Sequence, residues 1–122
     1  MDRTFLVIGA LSAFLGVAAG AFGAHSLRER LTDDMLAIFE TGARYQMYHA
    51  FALIAVAWAQ TRWSSGLLTT SGWLFVVGTL LFSGSLYVLS LSGIRWLGAI
   101  TPLGGVAFLG GWLLLALTAW RG

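Results

Sequence analysis

TFLVIGALSAFLGVAAGAFGAHSL, residues 4–27, runs for 24 residues without a charged side chain. A bilayer core about 30 Å thick is crossed by about 20 helical residues at 1.5 Å each. This segment is therefore long enough to span a membrane by itself. Three more uncharged runs follow it: YQMYHAFALIAVAWAQT (45–61, 17 residues), residues 63–94 (32) and residues 96–120 (25). Of the 122 residues, 58% are hydrophobic and 10% are charged, against about 25% charged in a soluble domain. That excludes a soluble globular domain, a disordered chain and a nucleic-acid binder with a basic face. With no Cys, a disulfide scaffold is excluded too. Barrel strands would alternate apolar and polar residues over about ten positions, and these runs do not. The fold class is all-α, a four-helix transmembrane bundle.

The 32-residue run is too long for one span and too short for two with a turn. Its first part, with Ser64, Ser65, Gly66, Thr69 and Thr70, is read as lying outside the core. Ser71 is then the expected N-cap of a helix that stops at Gly93. In the last run, Thr101 and Pro102 read as N-cap and first helical residue, leaving 93–101 as an interfacial loop; a longer helix kinked at Pro102 is the competing view. The first run also fits a signal-peptide template, with a charged start and small residues near Ala24; it is read as a helix. The spans are expected over about residues 4–24, 43–61, 72–92 and 102–120 of one integral membrane domain, 1–122.

Most charges gather between the first two spans: Arg28, Glu29, Arg30, Asp33, Asp34, Glu40 and Arg44. Thr32 followed by two aspartates is a helix start, and Met35, Leu36, Ile38 and Phe39 give it an apolar side. A short amphipathic interfacial helix is expected here. For orientation, Arg3, Arg62 and Arg121 on one side stand against Arg28, Arg30, Arg44 and Arg95 on the other, which decides little. The acids offsetting the second group favour cytoplasmic termini.

Polar groups inside a membrane are costly, so their placement is informative. They converge on the side where the first helix ends, here called side B. His25 leaves the first helix there; Arg44, Tyr45, Gln46, Tyr48 and His49 begin the second; Ser83, Ser85, Tyr87, Ser90 and Ser92 bring the third to it; and the fourth begins there with Thr101. On the second helix Glu40, Arg44, Tyr45, Tyr48 and His49 share half the surface, and Glu40 with Arg44 forms an i, i+4 pair able to neutralise the arginine in part. The candidate ligand site is Glu40, Arg44, Tyr45, Tyr48, His49, Ser83, Ser85, Tyr87 and His25. Each has a plainer reading: Arg44 snorkels, the tyrosines belong to an interfacial belt, and the histidines bond neighbouring helices. Two His and one Glu without tight spacing do not specify a metal or haem, and no cofactor is expected. No nucleophile stands with a base, which counts against an enzyme. Small residues at 9, 13, 16, 20 and 23, and again at 104, 107 and 111, form stripes suited to close packing, within the bundle or between copies.

GAFGAHSL (Gly20–Leu27), ETGARYQMYHA (Glu40–Ala50), LFSGSLYVL (Leu81–Leu89) and LGAITPLGGVAFLGGW (Leu97–Trp112) resemble the small membrane protein family catalogued as domain of unknown function 423, which is similar to the eukaryotic transmembrane protein 256. The resemblance implies a four-helix protein of the bacterial inner membrane and no particular activity. Three functions remain in view. The first is binding of a lipid headgroup or small polar ligand at side B. The second is assembly, with another copy or another membrane protein. The third is transport of protons or a small solute through His49 and Tyr87.

Overall fold

A computed structural model describes residues 2–122. Asp2 starts the first helix, α1 (Thr4–Phe22), by accepting the Thr4 backbone N–H at 2.9 Å. That hydrogen bond holds the exposed Asp2 carboxyl below the ordinary aspartate range. Gly23–Leu27 continues the helix as a π-helical turn. Thr32 caps α2 (Asp33–Ala59), its hydroxyl accepting from the Met35 N–H. Ser65 caps α3 (Gly66–Ser92) in the same manner through Leu67. Gly93 ends α3 in the left-handed region at φ 76°, donating to the Leu89 carbonyl, a conformation glycine adopts without Cβ strain. A 3₁₀ turn at Arg95–Ala99 leads into α4 (Thr101–Arg121), with Pro102 in its first turn.

The structure departs from the sequence reading at three places. The charged connector is not a separate interfacial helix: α2 is continuous for 27 residues from Asp33. Nothing between Asp33 and Tyr45 lacks an N–H or demands a left-handed backbone, so extending the hydrogen-bond ladder is easier than breaking it beside a membrane. The second departure concerns α3, which begins at Gly66 rather than after Ser71. Leu68 joins the core at 1% exposure, drawing the preceding turn into the helix, and Ser71 becomes a buried interhelical donor. Third, Thr101 does not cap α4; its hydroxyl pairs instead with Ser85 Oγ at 2.6 Å.

Principal interfaces join consecutive helices, α1 with α2, α2 with α3 and α3 with α4. The core holds Phe5, Leu53, Val56, Leu68, Phe75 and Phe108. Glycines admit the large rings. A Cβ on Gly72 would run into the Phe5 ring, one on Gly78 would meet Phe108 at 2.5 Å, and one on Gly111 would meet Phe75 at 2.7 Å. Outer faces stay apolar: Leu11, Phe14, Leu15 and Val17 on α1 and Leu103, Val106, Leu109 and Leu113 on α4 are exposed. Such surface suits acyl chains rather than water. Thr4–Leu27, Gly66–Ser92 and Arg95–Arg121 are each long and apolar enough to cross a membrane. α2 is as long as α3 but carries Arg44, Gln46 and His49 in its middle.

Candidate functional site

Side B is one end of the bundle: Arg95, just before α4, pairs with Asp34 at the start of α2, 3.6 Å apart and exposed. From there α2 descends through Glu40, Arg44, Gln46 and His49. Gln46, only 7% exposed, ties three helices. Its Nε2 donates to the Ser12 backbone carbonyl on α1 at 2.9 Å, and its Oε1 accepts from Tyr87 Oη on α3 at 2.6 Å. Gly16 permits this approach, since a Cβ there would meet Met47 Sδ at 2.6 Å. The Ser12 carbonyl has a second lone pair beyond the one its own helix uses.

The same device recurs at the other interfaces. Buried Ser83 on α3 donates to the Gly42 carbonyl on α2 at 2.7 Å, where a Gly42 Cβ would press on the Tyr87 ring at 3.1 Å. Buried Ser71 on α3 donates to the Gly111 carbonyl on α4 at 2.7 Å. At each consecutive interface, then, a polar side chain reaches a backbone carbonyl where glycine has thinned the contact. Ser85 adds bonds to Thr101 and to the Phe82 carbonyl.

His49 is buried and fully engaged. Trp112 Nε1 on α4 approaches its Nε2 at 3.1 Å. An indole N–H only donates, so Nε2 accepts and Nδ1 carries the proton, which it gives to the Tyr45 carbonyl at 2.8 Å. The imidazole lies flat on Phe108, ring centroids 3.5 Å apart and planes 5° apart. Tyr45 is half-buried against Phe82, centroids 4.7 Å apart; Tyr48 leans on Tyr45 at 5.4 Å but is exposed. An aromatic cleft of about 640 Å³ opens here between α2 and α4, its wall shared by Tyr45, Tyr48, His49 and Trp112.

The nine candidate residues thus separate. Tyr45, His49, Ser83, Ser85 and Tyr87 lie within the bundle and bond or stack with neighbouring side chains and backbone. Glu40, Arg44, Tyr48 and His25 do not join them: all four are exposed, Tyr48 at the mouth of the aromatic cleft and His25 on the π-helical turn. Glu40 and Arg44 are not within ion-pair distance of each other; among the described residues the ion pair is Arg95–Asp34. Instead, Glu40 and Arg44 line a shallow groove of about 530 Å³ between α1 and α2, with Gly16, Gly20 and Met47. Sequence reasoning left Gln46, Thr101 and Trp112 out of the candidate site. Gln46 and Thr101 are among the side B polar residues the sequence picks out, outside the ligand set; nothing local marks Trp112 as the partner of His49.

Residues 19–105 match the model of a family described as protein of unknown function (DUF423). The chain is 48% identical to the UPF0382 membrane protein YwdK of Bacillus subtilis, over 96% of each chain. It is 42% identical to the UPF0382 membrane protein of Staphylococcus haemolyticus, over 98% of this chain and 97% of that one. With the UPF0382 inner membrane protein YgdD of Escherichia coli K12 it shares 42% identity, over 98% of this chain and 92% of the other. No solved structure matches it.

Proposed function

The chain belongs to the DUF423 family of membrane proteins of unknown function, and on that premise we propose that it is a four-span inner-membrane protein that binds a phospholipid headgroup at its side B rim. α2 supplies the fourth span. Its 17-residue uncharged stretch from Tyr45 to Thr61 is about 25 Å long as helix, close to the membrane core, and its mid-helix amide is satisfied by neighbours rather than by water.

One observation carries the binding reading. The interior polar groups of the side B half, Gln46, His49, Ser83, Ser85 and Tyr87, bond one another or neighbouring side chains and backbone carbonyls, whereas Arg44 stays exposed at the rim of a groove, with no ion-pair partner within 4 Å among the described residues. A guanidinium at the membrane interface is suited to phosphate oxygens, which it can engage through two parallel N–H donors. The test is lipid retention by purified protein. Arg44→Ala is expected to lower retained phosphatidylglycerol several-fold; equal retention by wild type and variant overturns the reading.

The alternatives draw less from the geometry. Assembly was suggested by the glycine stripes, but Gly9 and Gly16 are occupied by α2, and Gly104 and Gly111 by α3. Transport through His49 and Tyr87 needs a polar path. Instead, Phe5, Leu53, Val56 and Phe75 pack the interior along α2 between His49 and Gln60, a rise of about 16 Å.

A further inference from the structure

We infer that the α1–α2 groove selects a phospholipid whose headgroup carries an ammonium group beyond its phosphate, with Arg44 taking the phosphate and Glu40 the ammonium. The inference rests on the lipid-binding reading above and adds the headgroup's chemical class. Its ground is the order of charges along the membrane normal. α2 enters from side B at Asp33 and runs inward, so Glu40 lies one turn, about 6 Å, nearer the aqueous surface than Arg44. Both are exposed, both line the same groove, and they are not ion-paired with each other.

In a zwitterionic phospholipid the phosphate sits next to the glycerol, and the ammonium projects from it toward water on a short ethylene arm. The anionic part is the deeper one. The groove presents the complementary sequence, cation below and anion above. An anionic lipid such as phosphatidylglycerol would satisfy Arg44 but offer Glu40 only neutral hydroxyl donors, with no opposite charge.

Below the two charges, the groove suits an acyl chain. α1 runs antiparallel to α2, so Gly20 lies toward side B and Gly16 deeper, next to Met47. A Cβ at Gly20 would meet nothing within 4 Å, so beside the headgroup position the groove has room for the start of an acyl chain, which then follows the exposed apolar face of α1. The two glycines differ: Gly16 is filled by α2, whereas Gly20 faces space the protein does not use.

The experiment uses the full-length protein in detergent micelles, presented with equimolar phosphatidylethanolamine and phosphatidylglycerol, and counts retained lipid by native mass spectrometry. Wild type is expected to favour phosphatidylethanolamine about fivefold, about 1 kcal/mol, the scale of one exposed ion pair. Glu40→Gln should bring the ratio near unity by lowering phosphatidylethanolamine without lowering phosphatidylglycerol. Arg44→Gln should lower both lipids, and Gly20→Leu, which fills the open groove, should do the same. All three side chains are exposed or face open space, so folding is not at stake. Equal retention of the two lipids by wild type, or a preference that survives Glu40→Gln, overturns the ammonium assignment. In either case a loss of both lipids in Arg44→Gln leaves the headgroup-binding reading standing. Arg44→Gln retaining both lipids at wild-type levels overturns the two together.

Discussion

Replacing Gln46 with Met tests whether the central polar residue ties the helices together. Methionine keeps the length and flexibility of the side chain but removes two interhelical hydrogen bonds: the donation to Ser12 O at 2.9 Å and the acceptance from Tyr87 Oη at 2.6 Å. Hydrogen bonds between membrane helices average about 0.6 kcal/mol and reach about 1.7. Two of them, with the Tyr87 hydroxyl left unpartnered, give an expected loss of about 1–3 kcal/mol. Tyr87→Phe breaks one bond and should cost about half as much. The double variant should cost less than the sum of the singles, with a coupling of about 0.6–1.7 kcal/mol. The assay is reversible unfolding in mixed micelles, followed by helical circular dichroism for wild type, both single variants and the double. Gln46→Met as stable as wild type, or a cycle that is additive within about 0.3 kcal/mol, would refute the claim that this amide joins α1, α2 and α3.

Glycine substitutions should rank by what a Cβ would meet. Gly104→Ala, directed at the Phe82 backbone, is expected to destabilise by about 1–3 kcal/mol, while Gly20→Ala, facing open space, should be neutral or stabilising by up to about 1 kcal/mol through helix propensity; thermal unfolding in micelles reads both. At Gly93, φ 76° makes Gly93→Ala cost about 1–2 kcal/mol, with Gly93→Asn less affected, in the same assay. The Asp2 carboxyl is held low by the Thr4 N–H. A depressed acid contributes above its unfolded pKa, and the contribution disappears as pH falls through the lower folded value. Amide exchange at Thr4, after correction for intrinsic rates, should lose protection upon such acidification in wild type and show no such step in Asp2→Asn.

What could be read from the sequence divides according to whether the cause is local. Uncharged run lengths and the left-handed stop at Gly93 depend on a few neighbouring residues: a helix lies along each uncharged run and α3 stops at Gly93, whereas the starts of α2 and α3 lie earlier than the runs alone suggest. Thr32 with Asp33 and Asp34 likewise marked a true helix start, yet the length of the helix it starts was misjudged, because a charge-rich turn and an apolar span differ in solvent but not in backbone geometry. Ser71 reads as a cap by residue type, while Ser65, an equally good cap nearer the chain reversal, leaves Ser71 free to bond Gly111 across the bundle. The same ambiguity governs the polar cluster. Sequence marks Arg44, Gln46 and His49 alike as costly in a membrane. Only the packing separates Gln46 and His49, whose hydrogen-bonding groups are consumed by Ser12, Tyr87, Tyr45 and Trp112, from Arg44, whose charge stays at an open groove. A residue's polarity sets how strongly it needs a partner, and the partner's position in the fold decides whether that need is met inside the protein or remains available to a ligand.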